Sequence, residues 1–385
     1  SKIHRMMPMP KSYQYLALLA LSLTTCLSAR AEPVASDTAH TPRYAKNFEI
    51  THFPTHRIAT IRSVQRGSKA THQYALVPKG AALPELPKGI TVIRTPVERV
   101  VVMETVYIGY LDALGKLDTI IGAATADYIS NTTVHARIQD GRIQKVQIGA
   151  ALNIERMLLL QPDLILTSIS GDPAFDIPAK LARSGLPVVL SAGYMEQHPL
   201  ARSEWIKFIA AFFDAGDFAA QTFDGIATRY EALRQTVDQI ELRPTLFCGA
   251  PYSGAWHMAS GESYTAQAIR DAGGDYLWAD VPGSGAIPLD IERVFLKAAH
   301  ADIWLNPSFY RSYNELFGAD ARFQKFNAAQ AGQVFNNTKQ RTTSGGNPIW
   351  ESGIVHPDDV LADLIKIFHP ELMPDWEFIY YEQLK

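Results

Sequence analysis

Cysteine is almost absent from this chain, which has only Cys26 and Cys248 among its 385 residues. If an N-terminal leader is removed after Ala31, Cys248 alone remains, and a single cysteine cannot form an internal disulfide. Cys248 ends the apolar run 245–248, a setting typical of a buried, inert thiol and not of a nucleophile. The fold must therefore be held by an apolar core, for which a chain of this length has enough residues in each of two domains.

Charge bias and catalytic motifs are also missing. The net charge is -3, and no cluster of Lys and Arg with interleaved aromatics predicts nucleic-acid binding. No Gly-x-Ser-x-Gly, P-loop or His-Glu-x-x-His motif occurs, and no His/Asp/Glu spacing indicates a direct metal site. We therefore predict a protein that is not an enzyme, with no resident metal and no covalent cofactor.

Long hydrophobic runs are confined to the N-terminus. A positively charged start, a short apolar stretch at residues 15–23 and the Ala-Arg-Ala sequence 29–31 predict a signal peptide over residues 1–31. The apolar stretch is too short to span a bilayer comfortably. We expect export to the periplasm. Lipid anchoring at Cys26 is a lesser possibility, because Thr25 stands where lipoprotein signals have a small residue.

One long amphipathic helix is predicted over residues 217–240. Its apolar residues recur at steps of three and four, as in Phe223, Ile226, Ala227 and Tyr230, and so line one face. Segments of alternating strands and helices flank it, and such alternation predicts parallel sheets covered by helices. We expect the helix to be a rigid connection between two lobes.

The predicted domain organisation follows from these segments. After residues 1–31 come an N-terminal extension with short strands (32–96), an N-terminal lobe (97–213), a linking helix (214–241) and a C-terminal lobe (242–385). The predicted fold class is α/β, with two Rossmann-like lobes whose central sheets are rich in parallel strands.

A short motif occurs once in each predicted lobe. The sequence LNIERM at residues 152–157 is matched by LDIERV at residues 289–294. Asn153 and Asp290 are expected helix N-caps, and a glutamate at the second helical position offsets the helix dipole. Stabilisation of the helix N-terminus explains each glutamate, Glu155 and Glu292, separately. It does not explain why the two lobes share the whole motif.

The motif at 153–156, followed by QPDLI at 161–165, resembles the substrate-binding proteins of ABC importers for iron complexes and cobalamin. The long helix and the second glutamate motif match the same family. The resemblance covers about residues 97–370 and implies a class III periplasmic binding protein, here with an N-terminal β extension. It also implies a monomer that docks on an inner-membrane permease dimer with its ATPase, with Glu155 and Glu292 as the docking residues.

A ligand cleft is expected where the loops follow the strands. Aromatic surface and a few polar groups are what a large chelate needs there. The candidate ligand-binding residues are Glu104, Tyr107, Tyr128, Tyr252, Trp256, His257, Tyr310, Arg341 and Trp350. Trp256 and Tyr252 fall in an expected loop at 250–262 that is rich in Gly and Ser, where an aromatic without a binding role is less expected. Tyr107 and Trp350 also suit core packing, and a lone His257 is more often structural.

The expected ligand is an iron chelate, with a ferric siderophore ahead of cobalamin and haem. Family members that bind cobalamin have aromatics where this chain has residues 149–151 and 168–171, which are Gly, Ala, Ser and Ile. Two other classes remain open: an exported hydrolase-like enzyme, and a scaffold without a small ligand. The scaffold hypothesis predicts a cleft filled by side chains.

Overall fold

The computed structural model describes residues 32–34, 38–63, 67–149, 151–169, 181 and 183–385. The predicted signal peptide, with Cys26, lies outside these residues. The sequence also predicts a helix of the N-terminal lobe over residues 174–183, and most of that segment lies outside them too. Among the described residues, none of the helices combines the length and the apolar character that a membrane span requires.

The N-terminal extension forms a sheet of its own, as its β-prone runs predict. Its four strands, in the order β1-β2-β3-β4, are β1 (Phe48–His52), β2 (Arg57–Arg62), β3 (Thr71–Pro78) and β4 (Thr91–Thr95). The first three are antiparallel, and β4 is parallel to β3. The buried side chains of Phe48, Ile61 and Leu76 join the main hydrophobic core, so the extension packs against the rest of the molecule.

The N-terminal lobe is built on a parallel sheet in the order β11-β10-β5-β6-β7. Its strands are β5 (Val100–Val102), β6 (Ile120–Ala123), β7 (Gln144–Lys145), β10 (Leu164–Ser168) and β11 (Val188–Ser191). Its helices are α1 (Val106–Ala113), α2 (Thr132–Gln139), α3 (Ile154–Leu160) and α4 (Pro199–Ala211), with a hairpin of β8 (Gln147–Ile148) and β9 (Ala151–Leu152) before α3. Both faces of the sheet are covered, which explains its continuous runs of Val and Ile.

The linking helix α5 runs unbroken from Gly216 to Thr236, 21 residues, or about 32 Å. Phe223, Ile226, Ala227 and Tyr230 form its buried face, as their spacing predicts. The helix ends four residues earlier than predicted. Val237 and Ile240 follow in a turn, where Ile240 N–H donates to the Val237 carbonyl at 3.1 Å.

The C-terminal lobe has a second parallel sheet in the order β15-β12-β17-β18-β19, with β19 antiparallel. Its strands are β12 (Thr245–Cys248), β15 (Asp275–Tyr276), β17 (Ile303–Leu305), β18 (Val334–Asn336) and β19 (Glu382–Gln383). Its helices are α6 (Tyr264–Asp271), α7 (Ile291–Ala298), α8 (Tyr313–Ala319), α9 (Asn327–Gln330), α10 (Ser352–Val355) and α11 (Pro357–Phe368).

The segment expected to be a loop at 250–262 is a β-hairpin, which corrects that prediction. Strands β13 (Pro251–Tyr252) and β14 (Ala255–Ala259) pair with each other, and β14 pairs with β16 (Ala286–Leu289). Trp256 and Met258 point into the core while His257 is exposed. This alternation has the period of a half-buried strand.

Candidate functional site

A cavity of about 160 Å³ lies between the two lobes. On one side, its walls come from the carboxyl ends of β10 and β11 and from α1; on the other side, they come from Trp350 and α10. The lining residues are Val106, Tyr107, Tyr110, Ser168, Ser191, Gly193, Tyr194, Arg202, Trp350 and Ile354. The position matches the general rule that ligands of open α/β sheets bind beyond the carboxyl ends of the strands.

Two of the predicted residues, Glu104 and Tyr107, meet at Ser168, which lines the cavity; Tyr107 lines it too, whereas Glu104 lies behind Ser168. The Ser168 amide and hydroxyl donate hydrogen bonds to Glu104 Oε1 at 3.1 and 3.0 Å. Tyr107 is almost fully buried and adjoins Ser168 and Ser191, and burial raises the pKa of its phenol well above the ordinary value. Tyr107 therefore remains a neutral hydroxyl, both a core residue and part of the cavity wall.

Two contacts hold the lobes together beside the cavity. The buried carboxylate of Glu351 accepts backbone N–H groups of Ser130, at 2.5 Å, and of Asn131, at 3.1 Å. The Arg202 guanidinium lies 4.0 Å from the ring centroid of Tyr264 on α6. Charge-assisted hydrogen bonds and a cation–π contact both resist separation of the lobes.

A second cluster lies where Tyr128 of the N-terminal lobe meets the loop after β18. A Cβ atom on Gly345 would lie 3.4 Å from the Tyr128 ring and 3.7 Å from the Arg341 guanidinium. Arg341 lies 4.6 Å from the ring centroid of Phe309, whose side chain is exposed. The structure thus brings Tyr128 and Arg341 together, as predicted, and adds Phe309.

Arg341 has hydrogen-bonding capacity to spare. Its Nε atom is buried with no hydrogen-bond partner, and in the part of the chain that the structure describes no carboxylate forms an ion pair with it. Asn306 Oδ1 and Thr125 Oγ1, just beyond the carboxyl ends of β17 and β6, are also buried without partners. Buried polar groups are normally paired, so the Arg341 Nε is available to donate a hydrogen bond to a ligand, and the two oxygens are available to accept one.

The prediction of a ligand role for Trp256 is wrong. Its side chain is 0% exposed and packs in tilted and edge-on contacts against Phe247, Trp304 and Phe326, and its indole N–H donates to the Cys248 carbonyl at 2.9 Å. The reason is the alternation of β14, which turns this side chain inward.

The other predicted residues of the C-terminal lobe have different positions. Tyr252 and His257 are exposed on the β13–β14 hairpin and are not among the residues that line the cavity between the lobes. Tyr310 packs partly buried against the core. Trp350 is half exposed and lines the cavity. Sequence reasoning missed Ser168, Ser191 and Phe309; the two serines are the last residues of β10 and β11.

The two motif glutamates occupy equivalent places in α3 and α7. Each helix is capped as predicted: Asn153 Oδ1 accepts the Arg156 N–H at 3.0 Å, and Asp290 Oδ1 accepts the Arg293 N–H at 2.7 Å. Glu155 is exposed. Glu292 is exposed too and forms an ion pair with Arg322 at 2.7 Å. Neither carboxylate contributes to a core.

One group of possible metal ligands occurs among the described residues, at the start of α11. Ligand atoms of His356, Asp358 and Asp359 lie within 4.8 Å of one another. Arg229 already donates to both carboxylates, at 2.7 and 2.5 Å. This cation neutralises the pair, and the helix N-terminus disfavours a further positive charge.

A larger cavity of about 830 Å³ lies between β3 and β11. Its wall includes Ile169, after which the chain enters residues 170–180, outside the described part. The described residues therefore do not define its full boundary. The smaller cavity is the better candidate site because both lobes and two strand ends contribute to it.

Three comparisons with known proteins bear on this site. A family model described as "Periplasmic binding protein" matches residues 100–340. An uncharacterized lipoprotein of Methanocaldococcus jannaschii is 25% identical over 292 residues, which cover 73% of this chain and 67% of that protein.

Solved structures share the fold at low sequence identity. A possible iron-binding, periplasmic solute-binding protein of Staphylococcus epidermidis superposes with a TM-score of 0.54 at 19% identity, covering 71% of this chain and 99% of that one. A periplasmic heme-binding protein of Pseudomonas aeruginosa gives 0.53 at 16% identity, covering 71% and 93%. At such identities the likeness concerns the fold alone.

Proposed function

Since the chain belongs to the periplasmic binding protein family, we propose that it captures an iron chelate between its lobes and delivers it to an ABC importer. The family consists of substrate-binding proteins and not of enzymes, so the prediction that the chain is not an enzyme is confirmed by its membership. A ferric siderophore is the proposed ligand, and the receiving partner is an inner-membrane permease dimer with its ATPase.

The Arg341 cluster is the observation that carries this proposal. A guanidinium with a free, buried Nε, stacked on the exposed Phe309 ring, suits an anionic ligand that has flat aromatic or chelate surfaces. Arginine can donate two parallel hydrogen bonds to a carboxylate or similar group. Among the described residues no carboxylate pairs with this guanidinium, so its charge is available to an anionic ligand.

The volume of the site limits how the ligand enters. A cavity of about 160 Å³ is smaller than the roughly 300–1,000 Å³ of typical small-molecule pockets. We propose that the lobes separate slightly on binding, so that the chelate occupies both the cavity and the Arg341 cluster. The unbroken linking helix and the Glu351 contacts favour a small movement over a wide hinge opening.

We expect replacement of Arg341 by alanine to weaken binding of anionic ferric siderophores by roughly 10- to 100-fold, because a charge-assisted hydrogen bond contributes about 1.5–3 kcal/mol. The affinity is measured by quenching of tryptophan fluorescence, with Trp350 as the reporter at the cavity. Arg293→Ala, at an exposed position of the same lobe, is the matched control. If the Arg341 variant and the wild type bind the siderophore with equal affinity, Arg341 is not part of the ligand site.

Haem and cobalamin are the alternatives within the same family. Ser168, the last residue of β10, lines the cavity. The resemblance found in the sequence implies aromatics at this place in the members that bind cobalamin, so the serine favours a siderophore. Native mass spectrometry with a panel of ferric siderophores, haem and cobalamin tests the ranking. Tight binding of cobalamin alone would overturn it, and binding of none would favour the scaffold hypothesis.

Export and docking complete the proposal. We propose cleavage after Ala31 and residence in the periplasm; because the Methanocaldococcus jannaschii relative is described as a lipoprotein, anchoring at Cys26 is the alternative. N-terminal sequencing and mass measurement of the mature protein distinguish the two.

We further propose that Glu155 and Glu292 dock on the permease, one on each subunit, because both are exposed on matched helices.

A further inference from the structure

Each of the two glutamate helices has one leucine that is more than four-fifths exposed; the neighbouring Leu158 of α3 is exposed as well, but only to 45%. Leu159 in α3 is 84% exposed and Leu296 in α7 is 88% exposed. Each leucine lies four residues after the glutamate of its motif, and residues four apart lie on the same side of a helix. Both lobes therefore present the same pair, a carboxylate and a leucine, one helical turn apart.

These leucines lie on the wrong side of their helices for core packing. Met157 is buried in α3, and Val294 and Ala298 are buried in α7. A residue two positions from a buried one points about 200° away from it, toward solvent. Neither leucine is explained by the core of its own lobe.

A single exposed leucine is common and needs no explanation. Leu242, for example, is 89% exposed, but it lies outside the repeated motif. What needs an explanation is that two leucines recur at equivalent positions, on the same side as equivalent glutamates. Core packing cannot produce this match because neither side chain is in a core.

We infer that Leu159 and Leu296 are apolar anchors of the docking surface. The inference rests on the proposed function, and the partner is the membrane-embedded permease dimer. A partner with two identical subunits offers two copies of one surface, and the two lobes offer two copies of the complementary one. Each copy on the partner would have an apolar pocket for the leucine beside a basic group for the glutamate.

The glutamates and the leucines are expected to contribute to docking in different ways. Exposed ion pairs contribute little to affinity and mainly steer and orient the partners. A leucine that becomes buried in the complex contributes more, because its apolar surface leaves water. The glutamates should therefore govern the rate of association and its salt dependence, and the leucines the rate of dissociation.

The test begins with photo-cross-linking in the producing cell. A benzoylphenylalanine is placed at position 159, 296 or 242 of the full chain, and the cross-linked partner is identified by mass spectrometry. We expect positions 159 and 296 to cross-link to one ABC permease polypeptide and position 242 to give no such product. Cross-links from 159 and 296 to unrelated proteins would overturn the inference.

The second measurement uses that permease–ATPase complex, purified in nanodiscs. We expect Leu159→Ser and Leu296→Ser each to raise the Kd about ten-fold or more, mainly through faster dissociation, while Leu242→Ser leaves it unchanged. Siderophore affinity should be that of the wild type for all three variants, which shows that they are folded.

The possible failures are distinguishable. If the leucine variants dock like the wild type while Glu155→Gln weakens docking, the leucine anchors are wrong and the docking proposal stands. If the wild type binds no permease, the proposed function itself fails. If sedimentation shows a dimer of this chain that Leu159→Ser or Leu296→Ser dissociates, the surface serves a second copy and the inference is overturned.

Discussion

Reversal of both motif charges, Glu155→Arg with Glu292→Arg, is expected to abolish uptake of the chelate while its affinity for the binding protein stays unchanged. Both carboxylates are exposed, so folding does not depend on them. Like charges facing each other across an interface cost several kcal/mol, which corresponds to docking weaker by roughly 100-fold or more. Uptake of radiolabelled iron chelate by cells measures the first effect, and fluorescence quenching the second.

A matched pair of control substitutions separates docking from net charge. Glu85→Arg with Glu241→Arg changes the charge by the same amount at exposed positions outside the motif. These controls should transport like the wild type. A loss of chelate affinity in the Glu155/Glu292 variant would place those residues in the ligand site and not on a docking surface.

The single charges should not be equivalent. Glu292 forms an ion pair with Arg322, which also pairs with Asp320 at 2.7 Å, whereas no ion pair of Glu155 occurs among the described residues. Docking through Glu292 must therefore weaken or share an existing contact. We expect Glu155→Gln to slow association more than Glu292→Gln does, as measured by surface plasmon resonance on the immobilised permease complex.

Removal of the Glu204 carboxylate is expected to destabilise the protein by about 3–5 kcal/mol, the usual cost of breaking a buried ion pair. Glu204 is fully buried in α4 and accepts the backbone N–H groups of Arg43, Tyr44 and Ala45 at 2.7–3.0 Å. It also pairs with the buried Lys207 at 2.9 Å. Glu204→Ala leaves one buried cation and three backbone donors without their acceptor.

Urea unfolding followed by tryptophan fluorescence gives the free energy of unfolding. Asp224→Ala is the control, since this exposed carboxylate binds the side chain of Arg43 and should cost no more than about 1 kcal/mol. The double variant Glu204→Gln with Lys207→Met should recover part of the loss, because it removes the unpaired charge. A loss below 1 kcal/mol for Glu204→Ala would mean that the extension is not held by this residue.

The elements predicted best are those with a strong local pattern. Helix α5 and its buried face follow from a 3.6-residue spacing, and the caps of α3 and α7 follow from Asn153 and Asp290 three residues before the amides that they accept. The four strands of the extension follow from short β-prone runs between Pro and Gly. In all these cases the information lies within a few residues of the element.

The site was predicted less well because contacts between distant segments decide it. Trp256 was assigned to a loop on the strength of neighbouring Gly and Ser, although the alternation of Trp256, His257 and Met258 indicates a strand. The partner strand β16 lies about 30 residues further along the chain, and no local pattern in the sequence predicts that the two strands pair. Phe309 beside Arg341, and Ser168 beside Glu104, likewise meet only in the folded chain.

The family, the α/β class, the linking helix and the two glutamate motifs could be read from the amino-acid sequence, because each depends on local spacing or on a contiguous motif. The folded structure was needed to show which aromatics remain available to a ligand, that Arg341 has a free donor at the lobe junction, and that Leu159 and Leu296 are exposed as a matched pair. Exposure and pairing are properties of packed surfaces, and packing joins residues that lie far apart in the chain.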